Sequence, residues 1–138
     1  MHCRIAEHAD VPSLAMMNYQ LIRDEGHRNR MTVVELEQRM REWLAGEYEA
    51  VLFVDDNDVI GYALYKREPE WVYLRQFFVC HDRRRQHVGS AAIRWLIENA
   101  WQDAPRIRVE VLLGNPAGIA FWRSVGFTDY CLTLEREA

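Results

Sequence analysis

An apolar, strand-like run, Leu74-Arg75-Gln76-Phe77-Phe78-Val79, leads into a basic turn, Arg83-Arg84-Arg85-Gln86-His87-Val88-Gly89-Ser90. A helix-patterned run, Ala91-Ala92-Ile93-Arg94-Trp95-Leu96-Ile97, leads out of it. This unit constrains the fold more than any other stretch. The first amides of a helix have no internal acceptor, and the helix dipole favours negative charge there. Three arginines add positive charge at the same spot. The unit predicts a phosphate or pyrophosphate seated on residues 84–90.

The rest of the chain sets the context of that turn. Its 138 residues suit a single domain, 1–138, with one sizeable core. Apolar residues are 49% and charged residues 28%, as in an ordinary globular protein. No apolar run approaches the roughly 20 residues that span a bilayer, and Met1-His2-Cys3-Arg4 does not open an apolar leader. Cys3, Cys80 and Cys131 are an odd, scattered set. They point to reduced thiols in a cytoplasmic setting, and to no metal site. A net charge of −4 argues against bulk nucleic-acid binding.

Local signals give an element order. Residues 3–6 suit a first strand. Asp10 is a candidate N-cap, followed by Pro12 and a helical face of Val11, Leu14, Ala15, Asn18, Leu21 and Ile22. Thr32 and Glu35 form a capping-box pattern ahead of a second helix, which Gly46 ends. Ala50–Val54 and Val59–Tyr65 flank the turn Asp55-Asp56-Asn57-Asp58. Trp71–Val79 reads as a long strand, Ile107–Leu112 as an alternating one, and Asn115–Gly126 as a short helix. Thr128–Glu135 alternates again and reads as a last strand. The order β-α-α-β-β-β-α-β-α-β implies an α/β fold with a mixed sheet and helices on both faces.

Two motifs resemble those of the GNAT family of N-acetyltransferases. Arg84-Arg85-Gln86-His87-Val88-Gly89 is similar to the R/Q-x-x-G-x-G/A loop. Asn115-Pro116-Ala117-Gly118-Ile119-Ala120-Phe121-Trp122-Arg123-Ser124-Val125-Gly126-Phe127 is similar to N-x-x-A-x-x-F/Y-Y/W-x-x-x-G-F. The resemblance implies acetyl-coenzyme A as cosubstrate, lying between splayed fourth and fifth strands, with no metal. Its pyrophosphate would rest on Arg84, Arg85, Gln86, His87, Val88, Gly89 and Ser90. Its pantetheine arm would pair with Phe77, Phe78 and Val79, near Asn115 and Trp122. A backbone amide at Phe77 or Phe78 would stabilise the tetrahedral intermediate of direct attack.

Two departures bear on the chemistry. His87 stands where the family has its first glycine. Trp122 stands where many members have a tyrosine that protonates the leaving thiolate, and an indole cannot supply that proton. Tyr130 and solvent are the candidates that remain. Tyr73 occupies the register of the glutamate base of many members. Glu110 lies on the neighbouring strand, on a face that alternation alone leaves open. Tyrosine serves as a base at neutral pH only if its pKa falls by several units.

The segment between the first two helices lines the acceptor cleft in this family. Here Asp24 and Glu25 would suit a cationic amine, Arg28 and Arg75 a carboxylate, and His27 a base. The expectation is acetyl transfer to a primary amine of a small molecule. The alternatives are a catalytically weak acyl-CoA-binding or regulatory module, and a protein acetyltransferase acting on lysines or N-termini. The last strand and the many aromatic residues leave a homodimer open.

Overall fold

The computed structural model describes residues 1–84 and 86–138; Arg85, one of the expected phosphate-loop residues, lies outside them. The chain is built on five strands in the order β1-β2-β3-β4-β5. These are β1 (His2–Ile5), β2 (Tyr48–Asp55), β3 (Asp58–Arg67), β4 (Val72–Val79) and β5 (Ile107–Val109). The first four pair antiparallel, and β5 joins β4 in parallel. The β2–β3 hairpin turns at Asp56 and Asn57, whose φ angles of 48° and 69° are left-handed. Asp and Asn tolerate that region, so two residues suffice to reverse the chain.

Period-two alternation sends the strand side chains into two separate cores. Ala50, Leu52, Val54, Tyr62, Leu64 and Phe78 pack against α1 (Val11–Asp24) and α2 (Val33–Ala45). Val51, Phe53, Ala63, Tyr65, Val72 and Leu74 pack on the opposite face, with α3 (Val88–Trp95) and α4 (Pro116–Ser124). Helix α2 opens with the expected capping box. The Glu35 amide donates to Thr32 Oγ1 at 3.2 Å and the Thr32 amide to Glu35 Oε1 at 2.9 Å. Asp10 plays a different part from the one its spacing suggests. Its carboxylate accepts the Glu7 amide and the Arg4 guanidinium, so it closes the turn before α1 instead of capping the helix.

A bulge in β4 shapes the region that matters most. Leu64 pairs with Gln76 and Tyr65 with Leu74, which leaves Arg75 as an extra residue. A bulge bends its strand and strengthens the local twist. On its other side β4 pairs with β5 only at Val72, Tyr73 and Leu74, opposite Ile107, Arg108 and Val109. Past the bulge the two strands part.

The expected last strand does not join the sheet. Residues 128–138 are exposed throughout, with Tyr130 at 76% and Leu134 at 83%. The physical reason lies in β5, which ends after three residues. Strand propensity expresses packing against neighbours, and the β5 ladder ends before Leu112 and Leu113, both exposed.

Candidate active site

The parting of β4 from β5 opens a gap floored by aromatic rings. Phe77 projects into the α3/α4 core. Its ring stacks on Phe121 with centroids 5.7 Å apart and meets Trp122 edge-on at 5.2 Å. Trp122 also packs against Phe127 at 5.2 Å, and it is buried. Each such pair adds about 0.5–1.5 kcal/mol beyond its burial. Helix α3 approaches this floor closely because residue 89 is glycine. A Cβ there would lie 2.9 Å from Phe121 Cε1.

Main-chain polarity along β4 follows from the ladder. The Cys80 amide donates to Ile60 O at 2.8 Å, and the Phe78 carbonyl crowds Gly61, so residues 78 and 80 address β3. Alternation then turns the backbone groups of Phe77 and Val79 toward the gap. One of them, the Val79 carbonyl, accepts Arg84 Nε at 2.8 Å.

The gap is met by the start of α3. Its first bond through the cap runs from the Ala91 amide to His87 O at 3.0 Å, and Ser90 Oγ donates to the same oxygen at 3.1 Å. The amides of Gly89 and Ser90 precede that bond and sit at the positive end of the helix dipole. His87 is exposed and lies at φ 60°, ψ 16°, so it adopts the left-handed conformation that glycine takes most readily. Gln86 is exposed and Val88 is half-buried against the core. Asn115 caps α4, its Oδ1 accepting the Gly118 amide at 3.1 Å.

Arg83 and Arg84 of the turn are engaged within the protein. Arg83 pairs with Asp55 at 2.6 Å. Arg84 pairs with Asp24 at 2.5 Å and lies over the Phe78 ring. Charge at the turn is therefore partly neutralised, and an anion would meet main-chain amides first. Burial disfavours the Asp24 carboxylate, but hydrogen bonds from Gln20 and Arg84 outweigh it and hold the pKa below the usual range.

The opposite face of β4 carries a group of polar side chains beside α1 and α2. Glu25 is half-buried; burial, reinforced by the Asp24 charge, raises its pKa. The Tyr62 hydroxyl donates to Gln76 Oε1 at 2.8 Å. The Arg75 guanidinium lies over Trp43 at 4.7 Å and donates to the Tyr48 hydroxyl at 3.2 Å. Arg39 lies over the same indole at 4.3 Å.

Tyr73 and Glu110 come together on this side. The Tyr73 hydroxyl donates to Glu110 Oε1 at 2.8 Å. Burial first, and then this bond, push the tyrosine up to about 12, which keeps its proton in place. Tyr130 is exposed, its hydroxyl accepting Arg108 Nη2 at 3.2 Å. His27 Nδ1 accepts the Asn29 amide at 3.2 Å within its own loop. Arg28 is turned outward to Glu135 of the C-terminal tail, at 2.8 Å.

Sequence reasoning missed the cleft residues Arg39, Tyr48, Tyr62 and Gln76. Nor was Trp43 among the expected site residues. Arg39 sits four residues before it on the same helix face, which is the available signal. Among the described residues no cluster of three or more His, Cys, Asp or Glu could hold a metal ion. No helix among them is long and apolar enough to cross a membrane.

The fold thus pairs a bulged β4 with a short parallel β5 and sets the start of α3 beside them. The profile of the Acetyltransferase (GNAT) family matches residues 16–127, and the chain belongs to that family. The family uses acetyl-coenzyme A. A mutant of the BH1408 protein from Bacillus halodurans superposes with a TM-score of 0.84 at 20% identity, over 100% of this chain and 99% of the other. Aminoglycoside 6'-N-acetyltransferase AAC(6')-IG from Acinetobacter haemolyticus gives 0.81 at 17% identity, over 100% and 98%. Aminoglycoside N-acetyltransferase AAC(6')-Iy, in complex with CoA, gives 0.79 at 14% identity, over 99% and 93%. At these identities the likeness speaks to the fold. No curated protein sequence is a significant match.

Proposed function

We propose that the protein transfers an acetyl group from acetyl-coenzyme A to a primary amine of a small molecule by direct attack. The observation that carries this reading is the β4–β5 gap, with inward-facing backbone groups at Phe77 and Val79 and the open amides of α3 beside it. These groups suit the cosubstrate: amides of Gln86 to Ser90 for the diphosphate, and the β4 edge for the amide-bearing arm. The cosubstrate supplies the activated acetyl thioester.

The chain's own residues do the rest. The Phe77 amide, rather than that of Phe78, is the donor that alternation aims at the gap, and it stabilises negative charge on the acyl oxygen. Glu25 takes the proton from the incoming ammonium. A carboxylate with a raised pKa suits that step better than an ordinary one, because an amine near 10.4 must be deprotonated at neutral pH. Tyr73, with its proton fixed toward Glu110, orients the acceptor instead of serving as a base. As the C–S bond breaks, the second amine proton passes to solvent and the leaving thiolate takes one from solvent, since a thiol near 8.5 leaves readily.

The test is thiol release from acetyl-coenzyme A across an amine panel that includes aminoglycosides, alongside calorimetric titration with coenzyme A. Turnover of a small amine supports the reading. A second reading, a coenzyme-A-binding module with weak chemistry, draws on Trp122, whose indole is committed to the aromatic floor. Binding without thiol release on any amine would establish that module, and activity confined to peptides would identify a protein acetyltransferase. The proposal extends to a homodimer, in which a second copy covers the exposed Tyr130, Leu132 and Leu134. It also includes a reducing, cytoplasmic setting, in keeping with the free thiols of Cys3, Cys80 and Cys131.

A further inference from the structure

Two guanidinium groups converge on one indole ring in the acceptor cleft, Arg39 at 4.3 Å and Arg75 at 4.7 Å from the Trp43 centroid. Like charges repel, so such a pair is ordinarily offset by a carboxylate. Neither arginine has one among the described residues, although Arg4, Arg28, Arg41, Arg67, Arg83, Arg84 and Arg123 each do. Their recorded hydrogen-bond acceptors are neutral. Arg39 Nη2 donates to Asn18 Oδ1 at 3.2 Å, and Arg75 Nη1 to the Tyr48 hydroxyl at 3.2 Å. Arg39 Nε is buried with no partner among the described residues, and so is the side-chain amide nitrogen of the fully buried Asn18. A buried, unpaired donor on a charged group is costly. Burial and the neighbouring Arg75 charge both disfavour the Arg39 cation.

On the other side of the cleft stands Glu25. Its neighbour Asp24 pairs with Arg84, whose Nε donates to the Val79 carbonyl at the end of β4. The cleft is therefore polarised, negative toward the end of β4 where the acyl group would sit and positive toward α2.

We propose that Arg39 and Arg75, flanking Trp43, form a carboxylate-binding subsite, so that the acceptor is an amino acid or a related aminocarboxylate. The planar guanidinium fork matches a carboxylate in two-point contact. A polycationic acceptor, such as an aminoglycoside, meets two unneutralised positive charges there. This inference names the acceptor class of the proposed acetyl transfer and rests on it for its kinetic test.

The kinetic test compares each of the common amino acids with the amine left when its carboxyl is removed, by thiol release from acetyl-coenzyme A. At least one amino acid should exceed its decarboxylated partner by tenfold or more in kcat/KM, about the value of one charge-assisted hydrogen bond. In Arg75→Gln and in Arg39→Gln that ratio should fall by about tenfold, mainly through KM. Equal rates for acids and amines, or an unchanged ratio in both variants, overturns the subsite. O-phosphoethanolamine turned over in preference to every carboxylate also overturns it, in favour of a phosphate. Should no amine react, the acetyltransferase reading fails by itself. The subsite is then judged by the Nε–Hε NMR signals of Arg39 and Arg75 during titration with N-acetylglycine. Saturable shifts of both support it, and their absence overturns it.

Discussion

At the level of single residues, Glu25 and His87 make opposite demands on the protein. Burial of Glu25 penalises its ionised form, so its pKa in the fold lies above that of the unfolded chain. Between those two values the folded state binds more protons, and stability falls as pH rises through the folded pKa. Glu25→Gln removes that penalty and is expected to make the protein more stable at neutral pH than at acid pH relative to the parent. If Glu25 is the base, the same substitution lowers kcat/KM by about 10²–10⁴ and abolishes an acid limb that lies above the ordinary glutamate range. Thermal melts and pH–rate profiles on one pair of proteins check both halves. His87 holds a left-handed backbone at φ 60°. A non-glycine residue there costs about 1–2 kcal/mol, while glycine loses about 0.5–1 kcal/mol more entropy on folding. His87→Gly is therefore expected to be neutral or stabilising by up to about 1 kcal/mol. His87→Val, β-branched, should cost more than about 1 kcal/mol in urea unfolding.

Among the elements, α3 and β4 decide what the site can be. Gly89 lets α3 sit on Phe121, and an added Cβ at 2.9 Å from that ring forces a shift. Overpacking of this kind costs about 1–3 kcal/mol. Gly89→Ala should lower stability by about 1 kcal/mol and weaken coenzyme A several-fold, because the amides of the first turn move with the helix. Unchanged affinity in calorimetry would show that those amides do not hold the ligand. Much of this arrangement was legible in the sequence. The strand–basic turn–helix unit and the Asn115–Phe127 motif gave the family, and the turn at Asp55–Asp58 gave the β2–β3 hairpin. The bulge at Arg75 was not legible, because it is a matter of register and Leu74-Arg75-Gln76 reads as uninterrupted strand. Nor was the pairing of Arg83 with Asp55 and Arg84 with Asp24, which joins residues distant in sequence. Those pairs shift the anion-binding role from side chains to main chain. The acceptor side was read from the loop at 24–29, yet its polar groups lie as much on α2, where Arg39 looked like an ordinary surface residue.

Over the whole molecule, the sheet separates two cores, and the proposed site lies where β5 ends and leaves β4 unpaired beyond Leu74. The C-terminal tail belongs to neither core. It is tethered by exposed contacts, Arg28 to Glu135, Arg123 to Asp129 and Arg108 to Tyr130. Surface pairs of this kind contribute little. Deleting residues 128–138 should leave the melting temperature of the monomer essentially unchanged. Sedimentation should then find only monomer, whereas the full chain is expected to sediment as the proposed homodimer. A large loss of stability in the truncated protein would mean that the tail completes the sheet in solution. The β4–β5 gap and the start of α3 are proposed to receive a coenzyme A thioester together, and a crystal structure with coenzyme A would show where it sits. The diphosphate is expected on the amides of Gln86 to Ser90, with the pantetheine amides paired with Phe77 and Val79. A diphosphate bound elsewhere, or β5 zipped onto β4 beyond Leu74 with the ligand excluded, would contradict it.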